Sequence, residues 1–152
     1  MKLADVKGIS TEEAEKHLDL SLAADGLCGL AWFNRGVRKS VRNDYYEALI
    51  SFLMAGLVQP NDIGSWSNVL ICIFNCDEHK NLMPLVISTA YRVNGEDFIR
   101  KFGQVIEENP EDRLPKFVKT ELINIVGSYA RELNKDKSQS SIIRFFNPDG
   151  TY

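Results

Sequence analysis

Apolar residues recur along this chain at intervals of three and four, and turn-forming residues interrupt them at regular distances. Tyr45 to Val58 shows the pattern most clearly. Its Ala48, Leu49, Phe52, Leu53, Ala55, Gly56 and Leu57 form a wide apolar stripe on a helix. Gln59-Pro60-Asn61-Asp62 ends that helix, because proline cannot continue the hydrogen-bond ladder. Upstream, Thr11 to Ala23 is rich in helix formers, with Ser10 placed to cap it. Leu30 to Arg42 has no proline and runs into the turn signal Asn43-Asp44. Downstream, Gly64 to Asn75 predicts a helix, Cys76 to Lys80 a turn, and Asn81 to Val93 a further helix closed by Asn94-Gly95. Glu96 to Glu108 follows, closed by Asn109-Pro110. Leu114 to Asn134 is longer, with Leu114, Phe117, Val118, Leu122, Ile125, Val126, Tyr129 and Leu133 at helical spacing. No strand pattern of any length is present. Short helices joined by short turns predict an all-α fold of antiparallel hairpins.

These helices carry a period. Trp32 and Trp66 lie 34 residues apart, as do Asn34 and Asn68, Glu13 and Glu47, Ala14 and Ala48, and Leu18 and Phe52. Self-similarity at a fixed distance is the signature of a repeat architecture.

The residues at these positions resemble the tetratricopeptide repeat, a helix-turn-helix unit with the pattern W-x2-L-G-x2-Y, A-x3-F, P. Between Gly29 and Asp62, Trp32, Gly36, Ala48, Phe52 and Pro60 fill the corresponding slots. Arg35 and Lys39 depart from it, standing where leucine and tyrosine are usual. The unit from Ile63 to Glu96 keeps Trp66, with Val69 for leucine. Leu70 replaces the glycine, Leu82 the alanine and Asn94 the proline. Past Glu96 the signature fades, so the resemblance covers about half the chain. It implies a short α-solenoid over residues 1–134 with Leu114 to Asn134 as a capping helix. The remainder, 135–152, is expected to be a polar linker, Lys135 to Ser141, followed by the short apolar segment Ile142 to Phe146. That segment would plug the last helices or serve a second copy in a homo-oligomer. Since the chain opens in the middle of a repeat, it is expected to be a piece of a longer protein.

Composition narrows the function. A formal net charge of -3 argues mildly against nucleic-acid binding. Three cysteines, Cys28, Cys72 and Cys76, make no disulfide framework and suit a reducing compartment. Met1 to Ser10 lacks the apolar stretch of a signal peptide, and no run approaches the ~20 residues that cross a bilayer. A soluble, cytoplasmic protein without a membrane partner is expected. Catalysis finds no support: the histidines are His17 and His79 alone, and no nucleophile elbow or phosphate-binding loop occurs. Glu107, Glu108, Glu111 and Asp112 flank a turn, where water and the following helix start account for them. Cys72, Cys76 and His79 lack a fourth ligand for zinc, so neither metal nor cofactor is expected.

Binding is the function that the resemblance implies. Stacked hairpins form a groove lined by their first helices, and in this family it takes peptides. By helical phase the groove would show Phe33, Asn34, Val37, Ser40 and Val41 from one unit. Ser67, Asn68, Ile71, Phe74 and Asn75 would come from the next. Asn34 and Asn68 either hold a ligand's main chain through paired amide bonds or satisfy backbone groups between helices. Leu30 and Gly64 stand where a carboxylate clamp needs lysines, so an apolar or amphipathic peptide is the expected ligand. Phe33→Ala with Ile71→Ala should then weaken binding and spare the fold. Two alternatives stay open. Arg35, Arg38, Lys39 and Arg42 form a basic stretch that would meet RNA or an acidic partner, or else face solvent. The chain would also serve as a regulatory domain of a larger multidomain protein.

Overall fold

Each predicted segment forms an α-helix in the computed structural model, which describes the backbone of residues 11–146 and the side chains of residues 12–135. The helices are α1 (Thr11–Ala24), α2 (Gly29–Val41), α3 (Tyr45–Val58), α4 (Ile63–Phe74), α5 (Met83–Asn94), α6 (Asp97–Glu108) and α7 (Lys116–Phe146). The described residues contain no strand. Successive helices pack on one another: α1 on α2, α2 on α3, α3 on α4 and α4 on α5. Beyond these, α6 packs on α4 and α7 on both α5 and α6. The result is a stack of antiparallel hairpins, a short α-solenoid whose long last helix closes one end.

The period reappears as hydrogen bonds. Trp32 Nε1 donates to the Gly26 carbonyl at 2.8 Å, and Trp66 Nε1 donates to the Pro60 carbonyl at 2.7 Å. In both units the indole reaches back over the turn preceding its own helix and ties that turn down. Asn94, which stands in the proline slot of the second unit, donates to the same Pro60 carbonyl at 3.1 Å. An alanine methyl in place of Gly36 would lie 2.7 Å from the Phe52 ring, so only glycine lets α2 approach α3 this closely. The final hairpin packs by simple four-residue stripes, Phe98, Phe102 and Ile106 on α6 and Val118, Leu122, Val126 and Ala130 on α7, all buried.

Turn chemistry sets the boundaries. Asn43 adopts φ 61, and Asp44 N–H bonds the Lys39 carbonyl at 2.9 Å, so a left-handed residue terminates α2. Gly95 does the same after α5, with φ 67. Two expectations need correction. The segment from Cys76 to Lys80 is not a plain turn but leads into a 3₁₀ helix, Asp77–Leu82, so α5 starts at Met83. Leu82, in the alanine slot, therefore precedes its helix and is 36% exposed. The second correction concerns the tail, because α7 does not stop at Asn134 but runs to Phe146. No glycine or proline interrupts 135–146, and extending an existing helix costs little per residue. The first breaker is Pro148, which disfavours helix at the residue before it. Whether Ile142 to Phe146 acts as a plug concerns side chains outside those described.

Arg35, the departure from leucine, is explained by its partners. Its guanidinium donates to Ser51 Oγ at 2.6 Å and to Glu47 Oε2 at 3.0 Å, and lies 3.5 Å from Asp19 Oδ1. The side chain is 19% exposed, so it works as a polar pin joining α1, α2 and α3. Arg42 adds a second tie, to Glu15 of α1 at 2.9 Å.

Candidate cavity between the first helices and the α6–α7 loop

The turns that join first helix to second helix in each hairpin all lie at one end of the stack. Against them opens a cavity of about 420 Å³. α2 contributes Phe33, Val37, Ser40 and Val41, and the turn beyond adds Asn43. Tyr45 and Phe52 come from α3, while Asn68, Ile71 and Cys72 come from α4, with Asn75 at its end. The loop between α6 and α7 supplies the far wall through Asn109, Asp112, Arg113 and Leu114. That loop is held from beneath by Lys119. Its buried ammonium donates to the Asn109 carbonyl at 2.6 Å and to the Glu107 carbonyl at 3.1 Å, satisfying the open end of α6.

Seven of the groove residues expected from helical phase line this cavity: Phe33, Val37, Ser40, Val41, Asn68, Ile71 and Asn75. Three do not. Ser67 is fully buried and donates to the Ile63 carbonyl at 2.8 Å, so it belongs to the packing side of α4. Phe74 packs against the core, with the Lys80 ammonium 5.6 Å from its ring centre. Asn34 is half-buried on α2 outside the cavity, so the two asparagines do not act as a pair there. The floor is apolar and in part continuous with the core. Phe33 meets Phe52 edge-on, with ring centres 5.4 Å apart. A substitution at Phe33 would therefore disturb packing, which makes the exposed Val41 the cleaner probe.

The polar groups of the wall differ in what they already bond. Asn75 and Asn109 each donate to the carbonyl four residues back, Ile71 at 2.9 Å and Val105 at 3.0 Å. Tyr45 OH donates to Asn43 Oδ1 at 3.1 Å, and Ser40 Oγ to the Val37 carbonyl at 2.8 Å. Asn68 is half-buried, and its amide bonds no described group. Asn75 and Asn109 are 34 residues apart and close α4 and α6 with the same side-chain bond, although Asn75 keeps a helical backbone and Asn109 is extended, a continuation of the period that sequence reasoning missed. Asp112 and Arg113 were not expected at the site, because only the tertiary fold carries their loop across to α2 and α4.

The basic stretch is divided. Arg35 and Arg42 are engaged by Asp19, Glu47 and Glu15, whereas Arg38 and Lys39 form no ion pair among the described residues and do not line the cavity. His79 stacks on Tyr46 with ring centres 5.2 Å apart, and Cys72 is buried in the core.

The thiols differ sharply. Burial, with a smaller contribution from nearby Cys76, pushes the Cys72 thiol up to about 12. Cys76 is also raised, by burial first and then by the charges of Glu78, Asp77 and Asp44. Iodoacetamide at pH 8 is expected to modify Cys28 and Cys76 in the native protein and Cys72 only on unfolding. Peptide mapping reads this directly, and fast native labelling of Cys72 would mean that the cavity floor opens. The sign of the linkage is fixed as well. The unfolded chain ionises Cys72 near 9.0 and the folded chain only near about 12, so this group's contribution to stability falls as pH rises through that window.

No described helix is long and apolar enough to cross a membrane. No family model matches the chain, and no curated protein matches it.

Proposed function

We propose that this chain is a protein-binding module of the tetratricopeptide kind, taking a segment of a partner protein into the cavity between α2, α4 and the α6–α7 loop. One observation carries this reading. An open cavity with an apolar floor holds the half-buried Asn68 amide with both its donor and its acceptor unused. That amide still reaches water in the open cavity, so a ligand there exchanges with solvent. A peptide main chain offers N–H and C=O side by side, so it answers both halves of that amide while its side chains cover Val37 and Ile71. The basic stretch supports RNA binding less well, since half of it is already paired within the fold.

Selection of a random displayed-peptide library on the intact chain, followed by calorimetric titration of the selected peptides, tests the proposal. Val41→Asp and Asn68→Ala are each expected to weaken Kd about tenfold, the effect of one lost anchor, with Tm nearly unchanged. Peptides that bind both variants as tightly as the parent chain would place the site elsewhere. An empty selection together with salt-sensitive RNA binding would favour Arg38 and Lys39.

A further inference from the structure

We infer that the apolar end of α7, Ile142 to Phe146, docks into the cavity of a second copy of this chain. This rests on the binding-module reading and names its ligand. α7 has 31 residues and spans about 46 Å at ~1.5 Å per residue. The helices that it packs on, α5 and α6, have 12 residues each and span only about 18 Å. Its buried positions among the described residues end at Ala130, and Tyr91 OH donates to Asn134 Oδ1 at 2.8 Å. Past that tie the backbone stays helical to Phe146, first through the polar stretch Lys135 to Ser141. Large apolar residues then fill four of the last five positions of the helix. Ile142, Phe145 and Phe146 stand at i, i+3 and i+4, a spacing that a helix gathers on one face.

The chain cannot seat this end in its own cavity. Leu114, on the far wall, lies just before the start of α7 at Lys116, and Ile142 follows about 39 Å further along the axis. No glycine or proline interrupts 128–146, so nothing in the sequence turns the helix back. What the end brings is matched by what the cavity holds. A volume of about 420 Å³ falls within the ~300–1,000 Å³ of sites that enclose a ligand. Phe33, Val37 and Ile71 offer an apolar floor to the apolar residues of an incoming helix. The last four carbonyls of a helix have no partner within it and carry its negative pole. The Asn68 amide and Arg113 can donate to them, and Arg113 forms no ion pair among the described residues. Asp112, next to it on the wall, is likewise without an ion pair among them and suits Arg144 of the incoming end.

Sedimentation velocity of the intact chain over a concentration series tests this. The parent is expected to self-associate. Val41→Asp, which spoils the cavity, and Phe145→Asp/Phe146→Asp, which spoils the segment, should each raise the Kd for self-association about tenfold or more. Circular dichroism and Tm check that each variant keeps its fold, and Asn68→Ala serves as a second cavity variant. A mixture of the two spoiled chains then reads the arrangement itself. One keeps a sound segment and the other a sound cavity, so together they should pair with nearly the parent's affinity. Association of one tail with another would not recover on mixing, and that result overturns the inference. So does a parent that stays monomeric, or a Val41→Asp chain that associates as tightly as the parent. Each of these leaves the binding module standing if the displayed-peptide selection still yields peptides that need Val41 and Asn68. A monomeric parent together with an empty selection overturns both.

Discussion

Trp66→Ala is expected to lower the free energy of unfolding by about 3–5 kcal/mol, while Trp32→Ala costs clearly less. The two residues hold the same slot of the period and make the same hydrogen bond six residues back, so the difference comes from their surroundings. Trp66 is 1% exposed. Its ring lies against Gly56, where an added methyl would stand 3.1 Å away, and its N–H holds the Pro60 carbonyl that Asn94 also uses. Removing it empties a large volume between the first and second hairpins and loosens the turn between them. Trp32 sits nearer the end of the stack, is only half-buried, and has the exposed Leu27 and Leu30 as sequence neighbours. Urea unfolding of the three chains measures this. Equal losses would mean that the first hairpin is packed as tightly as the second.

The helical fold was legible because its signals are local. Apolar spacing, Pro60, Asn43 and Gly95 act over a few residues, and apart from the far end of α7 each boundary they marked falls within a residue or two of the observed one. The repeat was legible where the same physical task recurs at the same distance, as with the two tryptophans. Other features were hidden by their dependence on tertiary contacts. Arg35 read as a break in the pattern because its partners Ser51, Glu47 and Asp19 lie on neighbouring helices. Ser67 and Asn68 are adjacent, and helical phase alone did not decide which one faced the core. The α6–α7 wall depends on Lys119 reaching back to carbonyls 10 and 12 residues earlier, a contact that no spacing rule announces. Half of the cavity thus came from helix phase, and the other half required the stack to be assembled.

The diverged second hairpin becomes intelligible through the volumes that it exchanges with the first. Gly36 and Phe52 face each other in one hairpin, and the positions 34 residues on hold Leu70 and Val86, both buried. A small residue opposite a large ring has become two residues of middling size. This predicts that Gly36→Leu alone destabilises by about 3 kcal/mol, even after the helix-propensity gain from replacing glycine. The ring of Phe52 cannot yield, being 2% exposed and held edge-on by Phe33 at 5.4 Å. Phe52→Val alone should cost about 2–3 kcal/mol through the space it leaves. Combined, Gly36→Leu/Phe52→Val rebuilds the second hairpin's pair within the first, and the total loss should fall short of the sum by about 2 kcal/mol. Denaturant unfolding of the parent, both single variants and the double variant closes the cycle. Additive losses would show that the two hairpins merely share a period. A large favourable coupling would show that they share one packing problem, solved with two different distributions of volume.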